Sequence, residues 1–133
     1  MKVHLQQLIK LTKIQDILKK KKFFLNKLHV KNFYKNIDIQ IVRLDEYLNN
    51  NSIEHINFMK IDTEGYEFDV LQGLGTRIYN VQYIMFEHHY HDMLVKTYKF
   101  SDINELLIKN NFIKIFKAKM PFRKTFEYIY ENR

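Results

Sequence analysis

The chain has 133 residues, 46% hydrophobic and 15% aromatic, enough for one globular domain with a real core and too apolar for a disordered chain. It has no Cys, which excludes a disulfide framework and a thiolate zinc site and fits a cytoplasmic protein. The formal net charge of +7 raises nucleic acid as a partner, but nearly all of it is Lys, with Arg only at 43, 77, 123 and 133, which argues against a dedicated nucleic-acid reader.

The first 28 residues never offer a long apolar run before a small-residue cleavage site, so no signal peptide is predicted. No stretch approaches the roughly 20 apolar residues of a membrane span. Leu5, Leu8, Ile9, Leu11, Ile14, Ile17 and Leu18 recur at helical spacing and predict an amphipathic helix. A solvated run, Lys19 to Lys22, follows, and then the apolar Phe23, Phe24 and Leu25. Residues 1–36 therefore read as a basic helical extension. It has three uses open to it: covering bare sheet, docking a partner chain, or lying on an anionic membrane surface through residues 1–28.

From Ile37 the pattern changes to alternating strands and helices. Ile37 to Val42 predicts a short strand, Leu44 to Leu48 a short helix or turn, and Asn49 to Ser52 a loop. Ile56 to Ile61 is an apolar run suited to a buried strand. Thr63 to Leu74 predicts a helix that Gly73 and Gly75 stop through a left-handed C-cap. Val81 to Phe86 predicts a second buried strand, and Ser101 caps a helix over Ser101 to Asn110. Phe112 to Ala118 and Thr125 to Tyr130 predict two last strands around a turn at Met120-Pro121-Phe122. This is an α/β pattern whose early strands should be parallel and whose last strand turns back.

In open α/β sheets ligands bind beyond the carboxyl ends of the strands. Asp62 and Glu64 follow one predicted strand, and Glu87 and His88 follow another. If those strands are neighbours, the four side chains converge at one rim. A carboxylate or imidazole at such a rim can accept the proton of a substrate hydroxyl. Carboxylates with His are also a donor set for a divalent metal that would acidify the hydroxyl. Each residue has a plainer reading too. Asp62 could cap the next helix, with Glu64 and Glu67 in its first turn, and Lys60 could simply pair with a nearby carboxylate. His88, His89 and His91 read as a solvated loop edge. Adjacent side chains point apart in extended chain, so no metal site is assigned and His88 is the member placed in the site.

The segment from Phe58 to Gly73, FMKIDTEGYEFDVLQG, resembles the central motif of FkbM-family methyltransferases, where Lys-x-Asp-x-Glu-Gly ends a strand and Val-Leu-x-Gly follows on a helix. Leu44-Asp45-Glu46-Tyr47-Leu48 is similar to the family's Leu-Asp-x-Tyr-Leu element, and Tyr83-Ile84-Met85-Phe86-Glu87 to its strand ending in Glu. The resemblance covers residues 37–133. It implies S-adenosylmethionine as methyl donor, a small hydroxylated acceptor such as a sugar, and the C-terminal half of a Rossmann-like (class I) methyltransferase sheet. The Gly-rich donor loop has no counterpart, since the three Gly are at 65, 73 and 75, and 36 residues are too few for the missing strands at about 30 residues per βαβ unit. A truncated or split enzyme is therefore expected, with a homodimer or a complementing chain to rebuild the donor side. Two readings from other classes stand beside it: a non-catalytic half-domain used for assembly, and a basic peripheral protein of membranes or nucleic acid.

Overall fold

The computed structural model describes residues 39–91 and 94–133. The predicted amphipathic helix, the Lys19 to Lys22 run and the Phe23-Phe24 pair lie outside the described residues. The chain divides after Gln40, and the unit Ile41–Arg133 holds every element named below.

Ile39 to Val42 form no strand; they are exposed, Ile41 at 85%. Alternation makes a strand only where a neighbour supplies the ladder, and none of the described strands pairs with this segment. Helix α1, Leu44–Asn50, starts from Arg43, whose guanidinium grips Asp45 at 2.7 Å, and buries Leu48. Strand β1 is Ile56–Ile61, with the predicted limits.

Helix α2, Glu67–Gly73, begins four residues later than its apolar spacing predicts. Glu64 and Gly65 have φ of 51° and 109°, which no α-helix accommodates. Gly75, with φ 51°, provides the expected left-handed turn, but Gly73 is simply the last helical residue and Leu74 behind it stays right-handed. A 3₁₀ helix, Gly75–Asn80, then leads into β2, Val81–His89.

Strand β2 is three residues longer than predicted, so Glu87, His88 and His89 belong to it. Helix α3 spans Phe100–Lys109. Its cap is not Ser101: the Asp102 carboxylate reaches back to accept from the Lys99 N–H at 2.7 Å. Strands β3, Phe112–Lys119, and β4, Thr125–Asn132, complete the sheet.

The sheet order is β1-β2-β4-β3. Strands β1 and β2 are parallel, while β4 runs antiparallel to both β2 and β3 and is inserted between them. A mixed α/β sheet of four strands results, with one reversed. Its core face stacks Phe86 on Tyr128 and Tyr130 at centroid distances of 5.5 and 5.8 Å. Ile103 and Leu107 of α3 and Leu71 of α2 belong to the same fully buried cluster. Each such side chain contributes about 1.5–3 kcal/mol by leaving water. The opposite face is exposed at Phe58 (53%) and Phe116 (46%) but covered at the His89 end of β2. Among the described residues no helix is long and apolar enough to cross a membrane.

Candidate active site

Parallel pairing of Ile61 with Phe86 brings the carboxyl ends of β1 and β2 side by side. Asp62 and Glu87, the next residues on each strand, therefore stand next to each other. Asp62 is exposed and pairs with Lys60 at 3.4 Å. It does not cap α2, whose N-cap is Tyr66. Lys60 thus has the ion pair that its place in an apolar strand suggests.

Glu64 projects from the β1–α2 turn with its side chain 65% exposed, in a left-handed backbone conformation rare for a non-glycine residue. Glu87 is far more enclosed, at 11% side-chain exposure. Burial, followed by the negative charges of Asp62, Glu64 and Glu127, raises its pKa above the ordinary carboxylate value, with His89 acting in the opposite direction. Such a carboxyl is a stronger proton acceptor than a solvated one.

The histidine cluster is not a solvated loop edge. His88 and His89 end β2 and are 3% and 5% exposed. Strand alternation sends them to opposite faces. His88 faces the core, with its ring 4.7 Å from Tyr90, 5.7 Å from Phe100 and 5.8 Å from Tyr98. Its Nδ1 is buried without a hydrogen-bond partner. Burial, then the nearby Lys96 charge, lowers its pKa to about 4, against a smaller opposing pull from Glu67, so it is neutral near pH 7.

His89 lies on the face of Glu87. Its Nε2 is 3.5 Å from Oε2 of Glu64 and 3.5 Å from Oε2 of Glu87, while Nδ1 is 3.0 Å from Thr125 Oγ1 and 3.2 Å from His91 Nε2. The structure therefore groups Asp62, Glu64, Glu87 and His89, and turns His88 away from them. His89 escaped the sequence reading although a signal was there. Residues two apart on a strand share a face, so a β2 reaching His89 joins it to Glu87.

Glu67 is the second residue that spacing did not reveal. Its carboxylate is 1% exposed and accepts from the backbone N–H of Thr63 at 3.1 Å, from that of Gly65 at 3.1 and 3.2 Å, and from the Tyr98 hydroxyl. Burial alone would raise its pKa, but the hydrogen bonds from Tyr98, Gly65 and Thr63 outweigh it and hold the carboxyl below its ordinary value. Glu67 is thus the anchor that folds the turn presenting Glu64.

Among the described residues no three His, Asp or Glu side chains are grouped to hold a metal ion. None of the three glycines offers a cradle for a methyl donor. A Cβ on Gly65 would meet Val95 O at 3.0 Å, one on Gly75 would meet the Asp45 carboxylate at 3.4 Å, and one on Gly73 would meet Leu44 at 3.6 Å. Their open sides are filled by the chain itself. The described glycines therefore do not fit a methyl donor's binding loop.

No curated protein and no solved structure matches the chain. A family model described as the methyltransferase FkbM domain matches residues 8–114. The matched span begins inside the region read above as an extension, takes in the β1–α2 turn and all of β2, and ends within β3. Covering most of the 133 residues and the whole carboxylate rim, it shows that this chain belongs to the FkbM methyltransferase domain family.

Proposed function

We propose that this chain forms the acceptor side of an S-adenosylmethionine-dependent methyltransferase that O-methylates a sugar or another small hydroxylated metabolite. The observation that carries the reading is the meeting of Asp62 and Glu64, just beyond β1, with Glu87 on the neighbouring parallel strand β2, in a chain of this family. The parallel pairing of β1 and β2 across a helical connection supports a Rossmann-like sheet. In this reading the exposed Asp62 and Glu64 accept hydrogen bonds from hydroxyls of the acceptor and orient it. Glu87, enclosed and with raised proton affinity, takes the proton that the attacking hydroxyl must lose. His88 lies behind them as part of the aromatic floor.

Calorimetric titration of the purified chain with S-adenosylmethionine, over a range of protein concentrations, tests the donor dependence. Saturable binding means that this chain, alone or as a dimer, builds a donor pocket; no binding at any concentration means that it is an acceptor-side half and that the donor side must come from another chain. Where transfer to a hydroxylated acceptor is measured, Asp62→Ala should lower turnover by about 10²-fold or more, the scale of a removed acid–base or orienting group. Its unfolding midpoint should stay within about 1 kcal/mol of wild type, because an exposed pair with Lys60 contributes little. Unchanged turnover would remove Asp62 from the site.

One observation favours a second reading, a half-domain whose work is assembly: all three glycines are covered by their own chain. A mass that rises with concentration in sedimentation, together with no donor binding, is the result expected of it.

A further inference from the structure

We propose that His89 is a positioning residue for Glu87: its Nε2–H, aimed between Glu87 and Glu64 by a hydrogen bond from Thr125 to Nδ1, fixes the carboxylate that receives the acceptor's proton. The inference rests on the methyl-transfer reading for its purpose, and on the geometry of β2 and β4 for its content.

The argument starts from which nitrogen carries the proton. His89 Nε2 is buried, makes no hydrogen bond within normal limits, and faces Oε2 of Glu64 and of Glu87 at 3.5 Å each. Ionised carboxylates only accept, so a neutral ring facing two of them is stable with its proton on Nε2. Nδ1 is then an acceptor, and the Thr125 hydroxyl at 3.0 Å is placed to donate to it. Thr125 is fully buried and is the register partner of His89 across β2 and β4, so two strands hold this contact rigid. A single N–H facing two carboxylates at slightly long range is the arrangement expected before a ligand closes the site, since such contacts tighten on binding.

His89 is also the favourable neighbour of a carboxylate otherwise surrounded by like charge. Asp62 and Glu64 from the β1–α2 turn and Glu127 from β4 all disfavour the charged form of Glu87. Lys60 of β1 is occupied with Asp62. His89, two residues along the same strand face, acts the other way. Without it Glu87 would hold its proton to higher pH. Side-chain exposure of 6% keeps His89 from touching substrate directly, so it acts through Glu87 and Glu64.

The test is a pH titration of the full chain carrying ¹³C-labelled glutamate, following the Glu87 carboxyl by NMR in wild type, His89→Gln and His89→Ala. Loss of the imidazole in His89→Ala should raise the Glu87 midpoint by about 0.5–1 unit, a three- to tenfold gain in proton affinity. His89→Gln, whose amide N–H can stand where Nε2 stood, should keep it within about 0.3 unit of wild type. Equal midpoints in wild type and a folded His89→Ala overturn the proposal. If His89→Ala does not fold, ¹⁵N shifts of the wild-type imidazole decide: a proton on Nε2 sustains the proposal and one on Nδ1 sinks it. Neither measurement needs donor or acceptor. Failure to bind S-adenosylmethionine would therefore count against methyl transfer by this chain alone and leave this result standing by itself.

Discussion

Two neighbouring histidines show how much a single residue's role depends on which way its strand turns it. His88 is sealed among Tyr90, Tyr98 and Phe100 with an orphaned Nδ1, and its pKa falls from 6.5 to about 4. Below pH 6.5 the unfolded chain takes up a proton that the folded one refuses, so stability present above that pH is lost as the pH falls toward 4. Between pH 7 and pH 5 the loss should be about 2 kcal/mol from this group alone. His88→Phe, which keeps an aromatic ring and removes the titration, should flatten that part of the profile. Urea unfolding at the two pH values measures it, and an equally steep fall in the variant would exclude His88 as the cause. The sequence reading put His88 in the site because it follows Glu87. The alternation that turns it inward was hidden by an end of β2 placed at Phe86, since the extra residues are strand only through pairing with β4, as in His89 with Thr125.

At the scale of elements the informative piece is the turn from β1 to α2. The limits of β1 could be read from its apolar run alone, but not its burial, since it is an outer strand of the described sheet and only Ile61 is buried. The start of α2 could not, because the Glu67 carboxylate competes for the N–H groups of Thr63 and Gly65 and folds them into a turn. Gly65 is the hinge of that arrangement, with φ of 109° and the backbone of residue 95 lying across it. Gly65→Ala should destabilise the protein by about 2 kcal/mol or more, combining a disfavoured φ with a 3.0 Å approach to Val95 O. Gly73→Ala is the matching control. It ends a helix with ordinary contacts only, so it should be neutral or stabilising by up to about 1 kcal/mol. Denaturant midpoints compare the two, and equal effects would show that the turn is not held as described. The same turn carries Glu64, so Gly65→Ala should also disturb the 3.5 Å contact with His89.

Over the whole molecule, topology decides which parts of the chain are indispensable. The α/β class and the reversal of the last strand were legible in the order of apolar runs, but the insertion of β4 between β2 and β3 was not, because strand order is a long-range property. That insertion makes β4 the partner of two strands at once: Tyr83 to His89 pair with it on one side and Phe112 to Lys119 on the other. It also brings Tyr128 and Tyr130, both fully buried against Phe86, and the Thr125 hydroxyl that faces His89. The family match stops at residue 114, before β4 begins. A chain ended after Lys119 keeps the whole matched span but should not fold. Strand β3 would have no neighbour among the described strands, and the lost burial of two large aromatics alone costs several kcal/mol, about the full stability of a small domain. Hydrogen exchange and near-ultraviolet circular dichroism of the shortened chain check this. Retained slow-exchanging amides in β2 would mean that β1, β2 and the helices form a stable unit without the reversed strand, and that the site's support lies elsewhere.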